Sequence, residues 1–436
     1  MKHILTLLML CAVATSTWTT VLVDGSSENT GTSIALSTGG GIIHVAYYSS
    51  AGMKYARHDT SGWLVDTLDS WTGPHNRGPS LQLDSLGRPC IAYYRGTPWL
   101  ARWTGSEWQQ EEIDADPSGD YVSLAFDSLD SPHVAYNKPV GLFDSRLKYA
   151  RHDSAGWHPE NVDASNSGYD CALGFDQSGQ AVVADCASWS NGAAYYRVRT
   201  DSGWTKETVL AADASQSSMV LDPAARPCIS YYWTGDEDYD LRFAWLEADT
   251  WRFEVVDHGL QQTKRGWDNS IAVDGRGFYH ISYHAHNERE LRCAWGRPGE
   301  WTVEVVDQVG MWNLTSSIAV DYGGRAYIAY CDEDEGDALY VAVRDEPIAV
   351  AGPRSPGRQA SDFRLGVTIV RGVLRLEEGS SPSSSPSLLL DITGRKVLDL
   401  KRGANDVSRM PPGVYFVRAV SSERSTTGCH KVVIQR

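Results

Sequence analysis

A tryptophan recurs along this chain at nearly constant intervals of 45 to 50 residues. In six of the seven copies an Asp follows six residues after the Trp, and Leu210 stands at that place in the remaining copy. Self-similarity at a fixed period of this size is typical of a repeat architecture. The recurring residues are Trp18, Trp63, Trp108, Trp157, Trp204, Trp251 and Trp301.

Each repeat contains four short segments that are rich in β-branched residues or alternate between apolar and polar ones. Examples of the four, in order, are Ser80-Leu-Gln-Leu-Asp84, Pro89-Cys-Ile-Ala-Tyr93, Leu147-Lys-Tyr-Ala150 and Trp301-Thr-Val-Glu-Val-Val-Asp307. Gly, Asp, Ser and Pro separate the segments, as expected for strands joined by hairpins. Four antiparallel strands in a repeat of about 45 residues predict one blade of an all-β propeller.

The turns between the first and second strands predict seven blades. The last repeat lacks its Trp strand, whereas an unpaired one, residues 18–24, opens the chain. We expect this segment to complete the last blade, because a closed ring has no exposed edge strand. An open array with frayed ends is the alternative. The turns begin at Thr38, Asp84, Asp127, Asp176, Asp222, Asp274 and Asp321.

Residues 1–14 have the pattern of a secretory signal peptide. Lys2 and His3 precede the apolar run 4–13, and Ala12-Val-Ala14 resembles a cleavage site. The run is too short to span a bilayer as a helix, so we expect no membrane span. Leu10 before Cys11 argues against lipoprotein processing, since a small residue is expected there.

The cysteines are too sparse for a disulfide framework. Seven remain after the predicted signal peptide, and an odd number in a chain of this length does not read as a set of bridges. Cys171 and Cys186 flank the Asp176 turn, so both a bridge across this hairpin and two separate thiols are open. The Cys and His spacings do not resemble a zinc site.

The repeat ends near residue 346, which predicts a propeller over residues 15–346. Residues 347–362 have the Pro, Gly, Ala and Ser content of a linker. Four apolar segments within residues 363–436 predict the strands of a small β-sandwich.

This C-terminal segment resembles the sorting domain of type IX secretion cargo. The resemblance covers about the last 70 residues and rests on Asp391-Ile-Thr-Gly-Arg-Lys-Val-Leu398, Pro412-Gly-Val-Tyr-Phe-Val417 and a terminal Lys-Val-Val strand. The usual Asn-Pro opening is absent. The resemblance implies export by the type IX machinery to the outer surface or exterior of a didermal bacterium. The matching positions are Asp391, Gly394, Arg395, Gly413 and Tyr415.

Charge divides the chain into an acidic and a basic part. Residues 353–436 hold 14 Lys and Arg against 7 Asp and Glu, which leaves a net −23 on residues 1–352 of a chain whose total is −16. Such an acidic propeller should repel nucleic acid and anionic membranes. Solubility outside the cell and a preference for basic partners or divalent cations are both open. We expect a monomer.

Aromatic residues in the predicted upper loops are the first binding candidates. These loops join the second strand to the third and each blade to the next, and loops on a rigid scaffold commonly carry function. Exposed aromatic faces suit sugar rings and protein hot spots, whereas packing between blades is the structural alternative. The candidates are Trp71, Trp99, Trp189, Trp233, Trp267 and Trp312, joined by Tyr121, Tyr169 and Tyr239.

Two acidic loops are the second candidates. They cover residues 236–240 and 332–337, and clustered carboxylates can hold calcium. We single out Asp332, Asp334 and Asp337 as the metal candidates. Neither loop has the spacing of an EF-hand, so a solvated acidic loop is the alternative, and no other cofactor is expected.

No catalytic motif of known spacing occurs in the sequence, and we assign no catalytic residue. His284, His286 and Glu288 share one loop, with Lys264 and Arg265 on another. A His-x-His metal site is a weak alternative without a third ligand. The turns before the repeat tryptophans resemble degenerate Asp-box turns of sialidase-like propellers, which are structural elements.

Three functions remain open. The first is a secreted or surface-attached propeller that binds a glycan or protein through its aromatic upper face. The second is a glycoside hydrolase or lyase, which needs a pair of carboxyl groups about 5–10 Å apart and for which Asp120, Asp236 and Glu288 are loose candidates. The third is a structural surface or adhesion protein.

Overall fold

The structure is a computed structural model that describes residues 18–345 except 27, 38–40, 72–77, 117–120, 142–143, 188–191, 236–237, 261–262 and 312–314. Beyond residue 345 it describes 368–370, 373–376, 387–390, 396–401, 403–407, 410, 413–419 and 429–434. The predicted signal peptide, linker and Thr38 turn lie outside these residues. The chain divides into two compact units, Met1–Val350 and Ala351–Arg436.

Five antiparallel sheets of the first unit have four strands each, and we call each a blade named by its innermost strand. The β2 blade contains β2 (Thr30–Leu36), β3 (Ile43–Ser49), β4 (Gly52–Asp59) and β5 (Gly62–Thr67). The β6 blade contains β6 (Ser80–Leu83), β7 (Pro89–Tyr94), β8 (Pro98–Trp103) and β9 (Trp108–Glu112). The β10 blade contains β10 (Val122–Phe126), β11 (Pro132–Pro139), β12 (Ser145–Asp153) and β13 (Gly156–Asn161).

The remaining two of these sheets follow later in the chain. The β22 blade contains β22 (Arg265–Val273), β23 (Tyr279–Ala285), β24 (Glu290–Arg297) and β25 (Glu300–Gln308). The β26 blade contains β26 (Ser316–Val320), β27 (Ala326–Asp332), β28 (Ala338–Arg344) and, as its outer strand, β1 (Trp18–Asp24). Single 3₁₀ turns, His286–Glu288 and Glu333–Glu335, join the second and third strands of these two blades.

One larger sheet joins two blades through a shared strand. Its order is β14-β15-β16-β18-β19-β20-β21, with β17 on β16. The fifteen-residue β18 pairs with β16 through its first half and with β19 through its second half. The strands are β14 (Tyr169–Phe175), β15 (Ala181–Cys186), β16 (Gly192–Thr200), β17 (Gly203–Trp204), β18 (Glu207–Leu221), β19 (Pro227–Trp233), β20 (Asp240–Glu247) and β21 (Thr250–Asp257).

The innermost strands form a closed ring. In the order β2, β6, β10, β14, β18, β22 and β26, each contacts the next, and β26 contacts β2. The N-terminal strand β1 pairs antiparallel with β28 from Trp18 opposite Arg344 onward. The prediction of an all-β propeller closed by its N-terminal strand is therefore confirmed.

The recurring tryptophans fill the space between blades. Trp108 packs edge-on against Tyr55 of the preceding blade, with 5.0 Å between ring centroids, and Trp204 packs likewise on Tyr149 at 5.1 Å. Trp301 lies 5.4 Å from Phe243 and donates its Nε1–H to Glu254 Oε1 at 2.6 Å. Burial of such large rings against a neighbour explains why the Trp recurs once per blade.

The Asp six residues after each Trp ties its blade to the next one, through what we call the Asp–Tyr latch. It accepts a hydrogen bond from a buried tyrosine in the second strand of the following blade, such as Tyr47 to Asp24 at 2.6 Å. In three of the five latches a basic residue opposite the tyrosine contributes as well, as where Lys54 Nζ lies 2.7 Å from Asp24. The latches are Tyr47–Asp24, Tyr93–Asp69, Tyr136–Asp114, Tyr283–Asp257 and Tyr330–Asp307.

Two junctions lack the latch, and each has a substitute. At the sequence exception Leu210, no connecting loop exists, because β18 runs on from one blade into the next. At the junction before it, Asp185 occupies the tyrosine position, and Arg197 bridges Asp185 and Asp163 with N–O distances of 2.6 Å. A shared strand and a buried ion pair thus replace the usual contact.

Acid should weaken the latches. Burial alone raises the pKa of Asp24, but hydrogen bonds from Lys54 and Tyr47 outweigh it and lower that pKa to about 2. A carboxyl with a lowered pKa in the folded state adds stability above its unfolded value, near 4, and loses it as the pH falls through the folded value. We therefore expect Asp24→Asn to cost about 2 kcal/mol at pH 7 and to flatten the loss of stability between pH 4 and pH 2.

Urea unfolding followed by tryptophan fluorescence at pH 7, 4 and 3 measures this effect. All 16 Trp residues precede residue 313, so the signal reports on the first unit alone. Asp66→Asn, on the exposed outer strand β5, is the matched control and should keep the native pH dependence. If the free energy of unfolding depends on pH equally in both variants, the stabilising role of the ionised Asp24 carboxylate is contradicted.

The second unit is also built of strands. A five-stranded sheet has the order β29-β35-β34-β31-β32, with only the β29–β35 pair parallel, and β30 pairs with β33. Gly413 and Tyr415 lie on β34, while Asp391, Gly394 and Arg395 lie outside the described residues. The strands are β29 (Thr368–Val370), β30 (Val373–Leu376), β31 (Ser387–Leu390), β32 (Lys396–Leu400), β33 (Gly403–Asp406), β34 (Gly413–Ala419) and β35 (Cys429–Ile434).

Candidate functional site

A polar channel of about 350 Å³ runs inside the ring of innermost strands. Five serine hydroxyls on its wall accept hydrogen bonds from backbone amides of the next blade, which commits them to the scaffold rather than to a ligand. Ala172 takes the equivalent place on β14. The serines are Ser33, Ser80, Ser123, Ser218 and Ser270, with distances of 2.9 to 3.3 Å.

The upper mouth of this channel has a strained backbone. Asp170, Gln216 and Asp268 line the channel with φ values of 49°, 50° and 46°, a region that residues other than glycine rarely adopt. A chain of hydrogen bonds supports them, since Asp170 accepts from the Gln216 amide at 2.9 Å and Gln216 Oε1 accepts from the Asp268 amide at 3.1 Å. Such strain, and the bulges beside it, concentrate at binding and active sites.

Five side chains from three segments meet beside Asp268, and we call them the Trp267 cluster. The Trp267 ring lies 4.4 Å from that of His286 and packs edge-on against that of Tyr232 at 6.2 Å. Tyr239 lies 6.2 Å from Tyr232, and the Lys264 ammonium lies 5.9 Å from the Trp267 ring centroid. Tyr232 and His286 are buried, whereas the other three are partly exposed.

The β22 register explains how Trp267 reaches this place. Register shifts between Arg265 and Trp267 and between Trp267 and Ser270 mark bulges on both sides of the tryptophan. Bulges re-aim side chains that would otherwise alternate across a sheet. Asp268 and Asn269, which follow directly, line the channel. The cluster therefore lies beside the channel-lining residues, where Trp267 packs across to Tyr232 of β19.

The two histidines beside Trp267 are neutral at physiological pH. His284 and His286 are only 1% and 2% exposed. Burial lowers the pKa of His284 to about 3, and burial together with the Lys264 charge lowers the pKa of His286. Buried imidazoles of this kind support the aromatic platform but do not reach a ligand outside it.

The other predicted tryptophans have different surroundings. Trp71 packs edge-on on Tyr94 at 5.2 Å, and Trp99 is stacked by Arg95 at 4.9 Å. Trp233 folds over its own loop, where its Nε1–H donates to the Gly235 carbonyl at 3.1 Å and Arg242 stacks on it at 4.4 Å. Trp189 and Trp312 lie outside the described residues. Tyr121 and Tyr169 form a separate pair with 5.5 Å between centroids.

Two of the three acidic candidates for calcium hold protein partners, whereas Asp337 Oδ1 is buried without a hydrogen-bond partner among the described residues. Asp332 accepts hydrogen bonds from the amides of Gly310 and Asp334, and the Asp334 carboxylate pairs with Arg289. Burial and neighbouring carboxylates raise the pKa of Asp332 and of Asp337. Mutual repulsion is thus present at this loop, and within the described part of the chain only Asp334 has a cation to relieve it.

Another group of possible metal ligands joins two carboxylates of the predicted acidic loop 236–240 with a histidine that the sequence did not single out. Among the described residues, Asp238, Asp240 and His258 place one ligand atom each within 4.8 Å of the others. Arg242 lies 2.8 Å from the Asp240 carboxylate, and the Gly259 amide donates to it at 2.9 Å. The buried Asp240 is therefore neutralised by the protein itself.

The loose catalytic candidates do not converge within the described part of the chain. Glu288 forms ion pairs of 2.9 Å with Arg265 and with Arg292. Burial alone raises the pKa of Glu288, but its arginine partners lower it overall, so this carboxyl is a poor proton donor at neutral pH. Asp120 and Asp236 lie outside the described residues.

Of the two interpretations of the Cys171–Cys186 hairpin, the structure supports separate thiols. Both are free and buried. Tyr169 rather than Cys171 lies opposite Cys186, because a register shift displaces the residues between Tyr169 and Ala172. The Cys186 thiol contacts Ser217 Oγ at 3.3 Å instead.

Comparison with known proteins gives a fold and no family. No family and no curated protein matches the sequence. Two structures of an ulvan lyase are similar, one bound to -[GlcA(1-4)Rha3S]- with TM-score 0.53, 14% identity and coverage of 75% of this chain and 96% of that one. The other has TM-score 0.52, 13% identity and the same coverages. A protein of unknown function from Dyadobacter fermentans gives TM-score 0.46 and 11% identity over 74% and 97%.

These similarities define the class of protein only as a β-rich propeller of a fold that ulvan lyase shares. At 14% identity, likeness in fold does not carry activity with it. Within the described segments, no helix is long and apolar enough to cross a membrane.

Proposed function

We propose that this protein binds a glycan at the upper mouth of its channel, through the Trp267 cluster. The observation that carries the proposal is a partly exposed Trp ring fixed by Tyr232 and His286 beside a strained channel rim. A sugar places C–H bonds on an aromatic face and its hydroxyls on polar groups at the ring edge. The Tyr239 hydroxyl and the Lys264 ammonium stand around this platform.

Preorganisation favours this site over the other aromatic residues. Both neighbours of Trp267 are nearly fully buried, at 4% for Tyr232 and 2% for His286, so the indole loses little freedom when a ligand binds. A platform that is already ordered lowers the entropic cost of binding. Trp233, by contrast, is covered by Arg242 and by its own loop.

Binding is better supported than catalysis by the described residues. Sugar-cleaving chemistry needs an acid or base within reach of the substrate. His284 and His286 are buried, and Glu288 is held by two arginines. A glycosidase or lyase is therefore the second candidate, resting on the polar channel alone.

A glycan array of the full chain, with and without calcium, tests the proposal. We expect reproducible binding to a limited set of glycans that does not depend on calcium. Binding only with calcium would move the site to the acidic loops, and a blank array in both conditions would overturn the proposal in favour of a protein ligand. Release of unsaturated or reducing ends from a bound polymer would show an enzyme instead.

We also propose that the second unit is the export signal that its sequence resembles. Its described strands form a five-stranded, mainly antiparallel sheet with Gly413 and Tyr415 on β34 and a separate two-stranded sheet, which supports a compact β module. Deletion of residues 363–436 should leave the propeller unit inside a type IX-competent bacterium, whereas the full chain should reach the outer surface or the medium. Export of the truncated chain would contradict this.

A further inference from the structure

Lys264 differs from the other basic residues around the candidate site. Its neighbour Arg265 contacts Asp257 at 2.7 Å and Glu288 at 2.9 Å, and Arg292 contacts Asp257 at 3.0 Å. Within the described residues, the Lys264 side chain has neither a hydrogen bond nor an ion pair. Its ammonium makes a cation–π contact with the Trp267 ring. This cation beside the candidate platform is therefore without a carboxylate partner among the described residues, in a chain whose net charge is −16.

The backbone fixes where this cation stands. Lys264 has φ 44°, a strained value for a residue with a side chain. Its amide donates to the Leu260 carbonyl at 2.9 Å, and its carbonyl accepts from the His286 amide at 3.0 Å. The strained residue is thus held on both sides, and its side chain starts from a fixed point beside Trp267.

Three carboxylates of the described residues near this cation are already paired with arginines. The carboxylates Asp257, Glu288 and Glu290 all contact Arg265 or Arg292. His286 is buried beneath the Trp267 ring and carries no charge at neutral pH. One positive charge therefore stands over an aromatic platform, on a flexible four-carbon stem that can turn toward a ligand.

We propose that the Trp267 cluster selects acidic sugars, with the sugar ring on Trp267 and its carboxylate or sulfate on the Lys264 ammonium. This inference rests on the proposed glycan binding and adds the ligand class. Uronates and sulfate esters both present an anion next to an apolar ring face, and both fit a cation 5.9 Å from a ring centroid. A charge-assisted hydrogen bond of this type is about twice as strong as a neutral one.

The test compares matched polysaccharides on the full chain. Each uronate polymer is measured beside its methyl ester, and each sulfated polymer beside its desulfated form, by titration calorimetry at low and physiological salt. We expect the acidic member of at least one pair to bind about ten-fold more tightly, with an advantage that shrinks as salt rises. Which pair responds distinguishes carboxylate from sulfate.

Variants assign the preference to Lys264. Lys264→Gln should remove the advantage of the acidic polymer and leave binding of the neutral one unchanged. Arg146→Gln is the matched control, since Arg146 is an exposed cation at the start of β12 and its loss changes the net charge equally. Wild-type binding of both members with equal affinity would overturn this inference but not glycan binding. Loss of both members in Lys264→Gln would assign a general role to Lys264, and absence of any binding would overturn both proposals.

Discussion

Arg197→Ala is expected to lower the free energy of unfolding of the propeller unit by about 3–5 kcal/mol. Arg197 is 1% exposed and contacts Asp185, which is 0% exposed, and Asp163. Removal of the guanidinium leaves the Asp185 carboxylate buried without its cation. The cost arises from that uncompensated charge more than from the lost pair.

The repeat itself supplies the compensating change. In the other blades Ala stands at the Arg197 position and Tyr at the Asp185 position in all cases, as the strand registers show for Ala56 and Tyr47. The double variant Asp185→Tyr and Arg197→Ala should therefore recover most of the lost stability by recreating the Asp–Tyr latch to Asp163. The other alanines are Ala101, Ala150, Ala244, Ala294 and Ala342.

Urea unfolding followed by tryptophan fluorescence gives the free energies of unfolding of the single and the double variant. The control is Arg199→Ala, whose ion pair with Glu160 is 36% exposed on both sides and should cost no more than about 1 kcal/mol. If Arg197→Ala is as mild as this control, the buried ion pair does not hold the junction. If the double variant is no more stable than the single one, the proposed equivalence of the two contacts is wrong.

Trp267→Ala should weaken glycan binding by about 30-fold or more, which corresponds to about 2 kcal/mol. The indole is the platform that Tyr232 and His286 hold in place, and loss of a central aromatic anchor removes both contact area and order. Trp267→Phe keeps an aromatic ring but a smaller one than the indole, and we expect an intermediate affinity.

Trp233→Ala is the matched control for this prediction. Trp233 precedes the upper loop that carries Tyr239, but its indole lies on Gly235 and under Arg242. Its loss should therefore change the affinity for the glycan by less than about three-fold. Calorimetry with a glycan found on the array measures all three variants, and unfolding midpoints show whether each still folds. Equal losses for Trp267→Ala and Trp233→Ala would place the binding site elsewhere.

The sequence predicted the scaffold because a repeat reports the same physical requirement many times. A Trp once per blade fills the space to its neighbour, and the Asp six residues later lies one strand length away, at the upper end of the blade. The unpaired first strand also required a partner, and β28 is that partner. Periodicity of this kind can be recognised in the sequence without any knowledge of tertiary contacts.

Departures from the repeat were visible in the sequence, but their meaning was not. Leu210 marks the place where two blades share β18, and Arg197 interrupts a position that is otherwise Ala. A break in the repeat shows that the contact at that position differs from the usual one. It does not show which residue of another strand takes over the contact. Asp163, Asp185 and Arg197 are distant in sequence and meet only after the blades pack.

The candidate site was predicted only in part, since composition named its tryptophans but not their surroundings. Trp233 and Trp267 have equal standing in the sequence, yet one is covered by Arg242 and the other lies beside the channel-lining residues. The sequence alone determined the all-β repeat, the closing strand and the acidic charge, because periodic burial and composition are local properties. Only the tertiary structure decided which ring is presented and which cation stays unpaired, because both depend on contacts between segments that are far apart in the chain.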